Sequence, residues 1–151
     1  MGMIEESIHF TFNNRALCKK YLQTAKWFLE GIELFCDKHS NLDFEMKQYV
    51  YFLAGCSLEL VFKGFLIFKG YKQKQLKDLS HNLEMLIKKT KECGLNILNE
   101  DDEKIIIGLN EYYKHKDIMY DLGCIELHNI SFYSAVIKKL QLGVEALSNK
   151  K

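Results

Sequence analysis

The segment Ala54-Gly-Cys-Ser-Leu-Glu-Leu-Val-Phe-Lys-Gly-Phe-Leu-Ile-Phe-Lys-Gly70 reads as one apolar helix whose interior carries two charges, Glu59 and Lys63, one turn apart. A carboxylate four residues before an ammonium is the favourable helical order for an ion pair. On a helix apolar nearly all round, neither charge reaches water easily, so each relies on the other. A second helix follows, starting at Ser80-His-Asn-Leu-Glu-Met-Leu-Ile87, and its opening histidine, His81, is placed to join them. This is where the chain concentrates its buried polarity.

The neighbouring sequence sets the fold class. The 151 residues are 48% hydrophobic and 27% charged, enough apolar mass for one domain with a real core. There is no Pro, against an average near ~5%, and only 9 Gly. So little turn punctuation favours long helices over a many-turned β fold. Periodicity places helices over about 13–37, with Asn13 or Asn14 as N-cap, over 44–68 with a stop at Gly70, and over 80–93 ending at Gly94. Two more run from about Asn99 to Lys116 and from Ile130 to Ser148. Residues 71–79, rich in Lys and Gln, read as an exposed connection, 121–129 as a loop, and 1–12 and 149–151 as tails. The expectation is an all-α, single-domain, up-and-down bundle of four to five helices.

Charge and cysteines exclude several classes. The net charge of +1 makes no global case for nucleic acid, membrane or acidic partners, and Arg15 is the only arginine among 21 basic residues. Cys18, Cys36, Cys56, Cys93 and Cys124 are odd in number, form no Cys-x-x-Cys, and read as reduced thiols of a cytoplasmic protein. No basic-then-apolar leader is present, and no run is expected to approach the ~18 apolar residues of a membrane span. Myristoylation at Gly2 fails because Glu6 stands where Ser or Thr is needed, and Met3 reads as an alternative start.

Metal and nucleophile motifs are missing as well. Only Glu6-Ser-Ile-His9 has the Glu-x-x-His spacing of a di-iron bundle, while His39, His115 and His128 stand alone. No metal and no cofactor is expected. There is no Gly-x-Ser-x-Gly elbow and no Gly-rich phosphate loop. Tyr112, Tyr113, Lys114, His115 and Lys116 form a basic-aromatic cluster that suits a nucleotide but equally suits the last turn of an ordinary helix. Glu59, Lys63 and His81 read either as a buried ion pair that fixes how two helices dock, or as a polar pocket for a base or phosphate.

At these residues the chain resembles the HEPN superfamily of nucleotide-binding helical domains. The likeness lies in Glu59-Leu-Val-Phe-Lys63, in His81-Asn-Leu-Glu-Met-Leu86, and in Tyr112-Tyr-Lys-His-Lys-Asp-Ile-Met-Tyr120, across about 49–120. The resemblance implies a four- or five-helix bundle, a homodimer, association with nucleotide, RNA or a partner protein, and a setting in toxin–antitoxin or phage-defence systems. Its catalytic members are metal-independent ribonucleases with an Arg-x4–6-His motif. This chain departs there: no His follows Arg15 at that spacing, and Met119-Tyr120 stands where Arg-Tyr would fall. Two expectations follow. One is a non-catalytic binding module with Glu59, Lys63, His81, Lys114, His115 and Tyr120 as ligand candidates. The other is an atypical phosphodiester-acting enzyme with His81 as acid–base beside Lys63 and Glu59.

Overall fold

Helix α2 (Phe44–Phe68) is the axis on which the other helices pack. Val50, Ala54, Leu58, Val61, Phe62, Phe65 and Leu66 are fully buried along it. The computed structural model describes residues 2–39, 41, 43–114 and 129–150, and the side chains of these from Asn14 onward apart from Phe44. Among them the chain is all helix, with no strand: α1 (Gly2–Lys38), α2, α3 (Gln73–Asp78), α4 (Leu83–Glu92), α5 (Glu100–Tyr113) and α6 (Ile130–Ser148). α1 makes the most extensive packing with α2, and α6, α4 and α5 complete the shell.

Local chemistry explains the boundaries. Asp43 caps α2 by accepting from the Met46 N–H at 2.9 Å. The helix ends on Gly70, whose φ of 101° only glycine adopts freely, and α4 ends the same way on Gly94, φ 94°. Asn99 and Asp102 form a capping box at α5, each side chain accepting from the other residue's N–H. Asn129 caps α6 through the Ser131 N–H.

Three expectations need correction. α1 begins at Gly2, so residues 2–12 are helix rather than tail, and neither Asn13 nor Asn14 is its cap. Ile4, Ile8 and Phe12 recur at four-residue steps and already carry the helical spacing. The connection over 71–79 contains α3, whose buried Leu76 is its single anchor. With α3 there are six helices among the described residues, not four or five. α4 starts at Leu83 with Asn82 as its cap, which leaves His81 in the preceding turn rather than on the helix. The end of the fourth expected helix beyond Lys114 and the loop up to His128 lie outside the described residues.

By length and average composition α2 is also the one helix, among the described residues, able to cross a membrane, although Glu59 and Lys63 interrupt its apolar run. About two-thirds of the apolar window is buried inside the domain, as in the core helix of many soluble proteins.

Two glycines of similar helical setting have opposite roles. A Cβ on Gly55 would run into the Tyr113 ring, so the α2–α5 approach requires its absence. A Cβ on Gly31, exposed on α1, would meet nothing within 4 Å. Gly55→Ala is expected to destabilise by about 1–3 kcal/mol through overpacking. Gly31→Ala should stabilise by up to about 1 kcal/mol through helix propensity. Urea titrations of the two variants check this, and equal effects would contradict the packing described.

Candidate functional site

Cys56, Glu59 and Lys63 follow one another at steps of three and four, so they form a polar stripe down one side of α2. The stripe faces the turn before α4 and the end of α5, which deliver His81 and Tyr113. The Glu59 carboxylate is the meeting point. His81 Nδ1 is 2.6 Å from its Oε1, Lys63 Nζ is 3.7 Å from the same oxygen, and the Tyr113 hydroxyl donates to Oε2 at 3.4 Å. The side chains of Glu59 and Lys63 are 12% and 13% exposed, whereas His81 is 40% exposed.

Glu59, ionised beside Lys63, only accepts hydrogen bonds, so His81 Nδ1 must donate. In the neutral ring this leaves the lone pair on Nε2, at the edge away from the carboxylate. Tyr113 is held as a donor too. Burial first, then the Glu59 charge and the neighbouring Cys56 thiol push its pKa far above the ordinary tyrosine value. Its hydroxyl also lies 3.6 Å from Cys56 Sγ. The Tyr113 ring meets His81 edge-on, centroids 6.1 Å apart. Lys63 is the least satisfied member: three N–H donors, largely buried, with one loose ion-pair partner among the described residues.

Further residues put His81 in place. Ser80, directly before it, has φ 52°, the one non-glycine positive φ among the described residues. An L-residue adopts this region at some cost, and here it turns the chain so that the next side chain faces α2. The far side of the turn is clamped by Asn110 of α5, which is fully buried. Its Oδ1 accepts from the Leu83 N–H at 2.7 Å and its Nδ2 donates to Asn82 Oδ1 at 3.1 Å. Asn82 Oδ1 in turn accepts from the Met85 N–H at 3.2 Å. The α4 N-terminus is thus tied to α5, and His81 sits immediately outside the tie.

The structure therefore brings Glu59, Lys63 and His81 together. It places Lys114 differently: its ammonium pairs with Glu111 of its own helix at 3.0 Å. His115 and Tyr120 lie outside the described residues. Tyr113, Cys56, Asn82 and Asn110 also belong to the site, and none of them is a ligand candidate in the sequence. There, Tyr113 stands in the basic-aromatic cluster, Cys56 among the reduced thiols and Asn82 in the stretch after His81, while Asn110 carries no signal of its own. Among the described residues, no group of three or more His, Cys, Asp or Glu is arranged to hold a metal, and the four described cysteines are free thiols.

No protein-family model matches the chain, and neither does any curated protein or solved structure.

Removing Glu59 alone strands an ammonium, an imidazole and a phenol against the core. Glu59→Ala is expected to cost about 3 kcal/mol, more than Glu59→Met combined with Lys63→Met, which removes both charges and restores apolar volume. Denaturant melts of the variants compare the two costs. Losses below about 1 kcal/mol in both would mean that the charges are solvated.

Proposed function

We propose that the chain is a non-catalytic, HEPN-like up-and-down helical module that binds an anionic group of a nucleotide, RNA or partner protein at Glu59, Lys63 and His81. The observation that carries this reading is the unequal satisfaction of the site. Glu59 has three donors gathered on it, whereas Lys63 and the outer edge of His81 retain donor or acceptor capacity at a half-open surface. A phosphate placed there would accept from Lys63 and from a protonated His81 while Glu59 and Tyr113 hold both in position. The likeness to HEPN proteins in Glu59-Leu-Val-Phe-Lys63 and His81-Asn-Leu-Glu-Met-Leu86 supports the same choice. The reading extends to a cytoplasmic homodimer in a toxin–antitoxin or phage-defence setting, and the exposed Trp27, Leu34 and Tyr49 offer apolar surface for such pairing.

The second reading, an atypical phosphodiester-acting enzyme, draws on the short Glu59–His81 bond. A carboxylate that fixes an imidazole tautomer is what a general base requires. Against it, the one described cation beside His81 is Lys63, and Lys114 is committed to Glu111. The chain also lacks an arginine near the site to stabilise charge on a phosphodiester in its transition state.

Calorimetric titration with AMP, and incubation with single-stranded and structured RNA in chelator, separate the readings. AMP binding that weakens at least about tenfold in His81→Ala or Lys63→Gln, with all RNA left intact, is the expected result. Cleavage by the native protein that disappears in His81→Ala would instead establish the enzyme. Binding of neither AMP nor RNA would remove the anion-site reading.

A further inference from the structure

The near-neutral total charge hides a strong segregation. Between Leu60 and Lys91 there are eight lysines against two acids, Asp78 and Glu84, a net of +6, which leaves the remainder of the chain at −5. The lysines fall into two groups. Lys63, Lys89 and Lys91 are engaged by Glu59, Glu92 and Glu103. Lys69, Lys72, Lys74, Lys77 and Lys88 have no ion-pair partner among the described residues, and all five are exposed. Four of these five lie on the end of α2 and on α3, within a few residues of each other.

The backbone brings this group to His81. The chain folds back after α2 through Tyr71 N–H to Leu66 O at 2.9 Å, and α3 is held down by Leu76, 3% exposed. Lys74 and Lys77, one turn apart, stand at the free surface of α3. The Ser80 N–H bonds Lys77 O at 3.0 Å, so the turn that carries His81 starts from the last turn of α3. On the other side of His81, Asn82 opens a groove of about 530 Å³ along α4 and α5, with Met85 and Ile107 as apolar lining and Lys88 at its rim. Lys91, Glu84 and Glu92 also line it, with Lys91 and Glu92 committed to ion pairs.

We propose that this face is a track for single-stranded nucleic acid, with phosphates crossing the α3 lysines to Lys63 and His81 and a base resting in the groove behind Asn82. The proposal rests on the reading of Lys63 and His81 as an anion site and extends it from one phosphate to a polyanion. Lysine point charges without arginine forks suit a backbone followed irrespective of sequence. Tyr71, between Lys69 and Lys72 in the chain, and His81, four residues after Lys77, are both partly exposed rings of the kind that suits base stacking. An anionic membrane is the poorer match, because the apolar side of α3 is spent on the core and leaves nothing to insert.

The test is fluorescence anisotropy of the full chain with a labelled oligouridylate of about twelve nucleotides, across a range of salt. With four to five lysines engaged, log K should fall against log salt with a slope of about −3, about a sixtyfold loss between about 50 and 200 mM. The variant Lys74→Glu/Lys77→Glu should lose at least about one unit of that slope and about tenfold in affinity near 100 mM, with AMP binding and thermal melting unchanged. Oligonucleotide binding identical in native protein and variant would overturn the track. So would AMP binding without any oligonucleotide binding, an outcome that leaves the anion site standing. Loss of both ligands in the native protein would overturn both readings. Salt-dependent binding to phosphatidylserine vesicles, lost in the lysine variant and unaccompanied by oligonucleotide binding, would assign the strip to membranes and overturn the proposal.

Discussion

One carboxylate, Glu59, governs the arrangement of three separate elements. It sits within the central helix and takes donors from that helix (Lys63), from the turn before α4 (His81) and from α5 (Tyr113). A buried anion left without donors is very costly, so the fold has to deliver them. Several otherwise unrelated features serve that delivery. Gly55 lets the Tyr113 ring lie against the α2 backbone, Ser80 adopts a left-handed φ before His81, and Asn110 locks the start of α4 to α5. A buried ion cluster adds little stability by itself; here it fixes the register of three elements and places an imidazole at the surface.

The strongly periodic parts of the fold were legible in the sequence. The bounds of α2 and α6, the glycine stops at Gly70 and Gly94, and the Glu59–Lys63 pair follow from helical spacing and cap chemistry, whereas His81 joins the pair from a turn and not from the helix expected to carry it. What escaped depends on tertiary contact. Tyr113 fits the apolar period of α5, and its hydroxyl acquires a role only because Gly55 admits the ring so closely. Asn110 reads as an ordinary polar residue until α4 presents a free N–H to it. α3 has one apolar residue, Leu76, too few to show a period. Asn13-Asn14 resembles a cap by residue type, and only the continuation of α1 to Gly2 shows otherwise.

Net charge was the least informative quantity. A total of +1 conceals a basic face over the end of α2 and α3, balanced by acids elsewhere, among them Glu100 to Glu103 at the start of α5. Electrostatic attraction acts within about 10 Å at ordinary ionic strength, so local clustering decides what a surface attracts. The acids that do approach the basic side, Glu92 and Glu103, neutralise Lys89 and Lys91 and leave the α3 lysines uncommitted. His81 thus lies where an inward-facing polar cluster meets an outward-facing cationic surface.

The claim that Glu59 holds His81 by its Nδ1 proton has a direct readout in long-range nitrogen–proton correlation NMR of the histidine side chains, at a pH where the ring is neutral. His81 is expected to show the Nδ1–H tautomer in the native protein and to lose that preference in Glu59→Gln, whose amide no longer enforces a donor at Nδ1. A neutral His81 carrying its proton on Nε2, or one whose tautomer is unaffected by Glu59→Gln, would contradict the account.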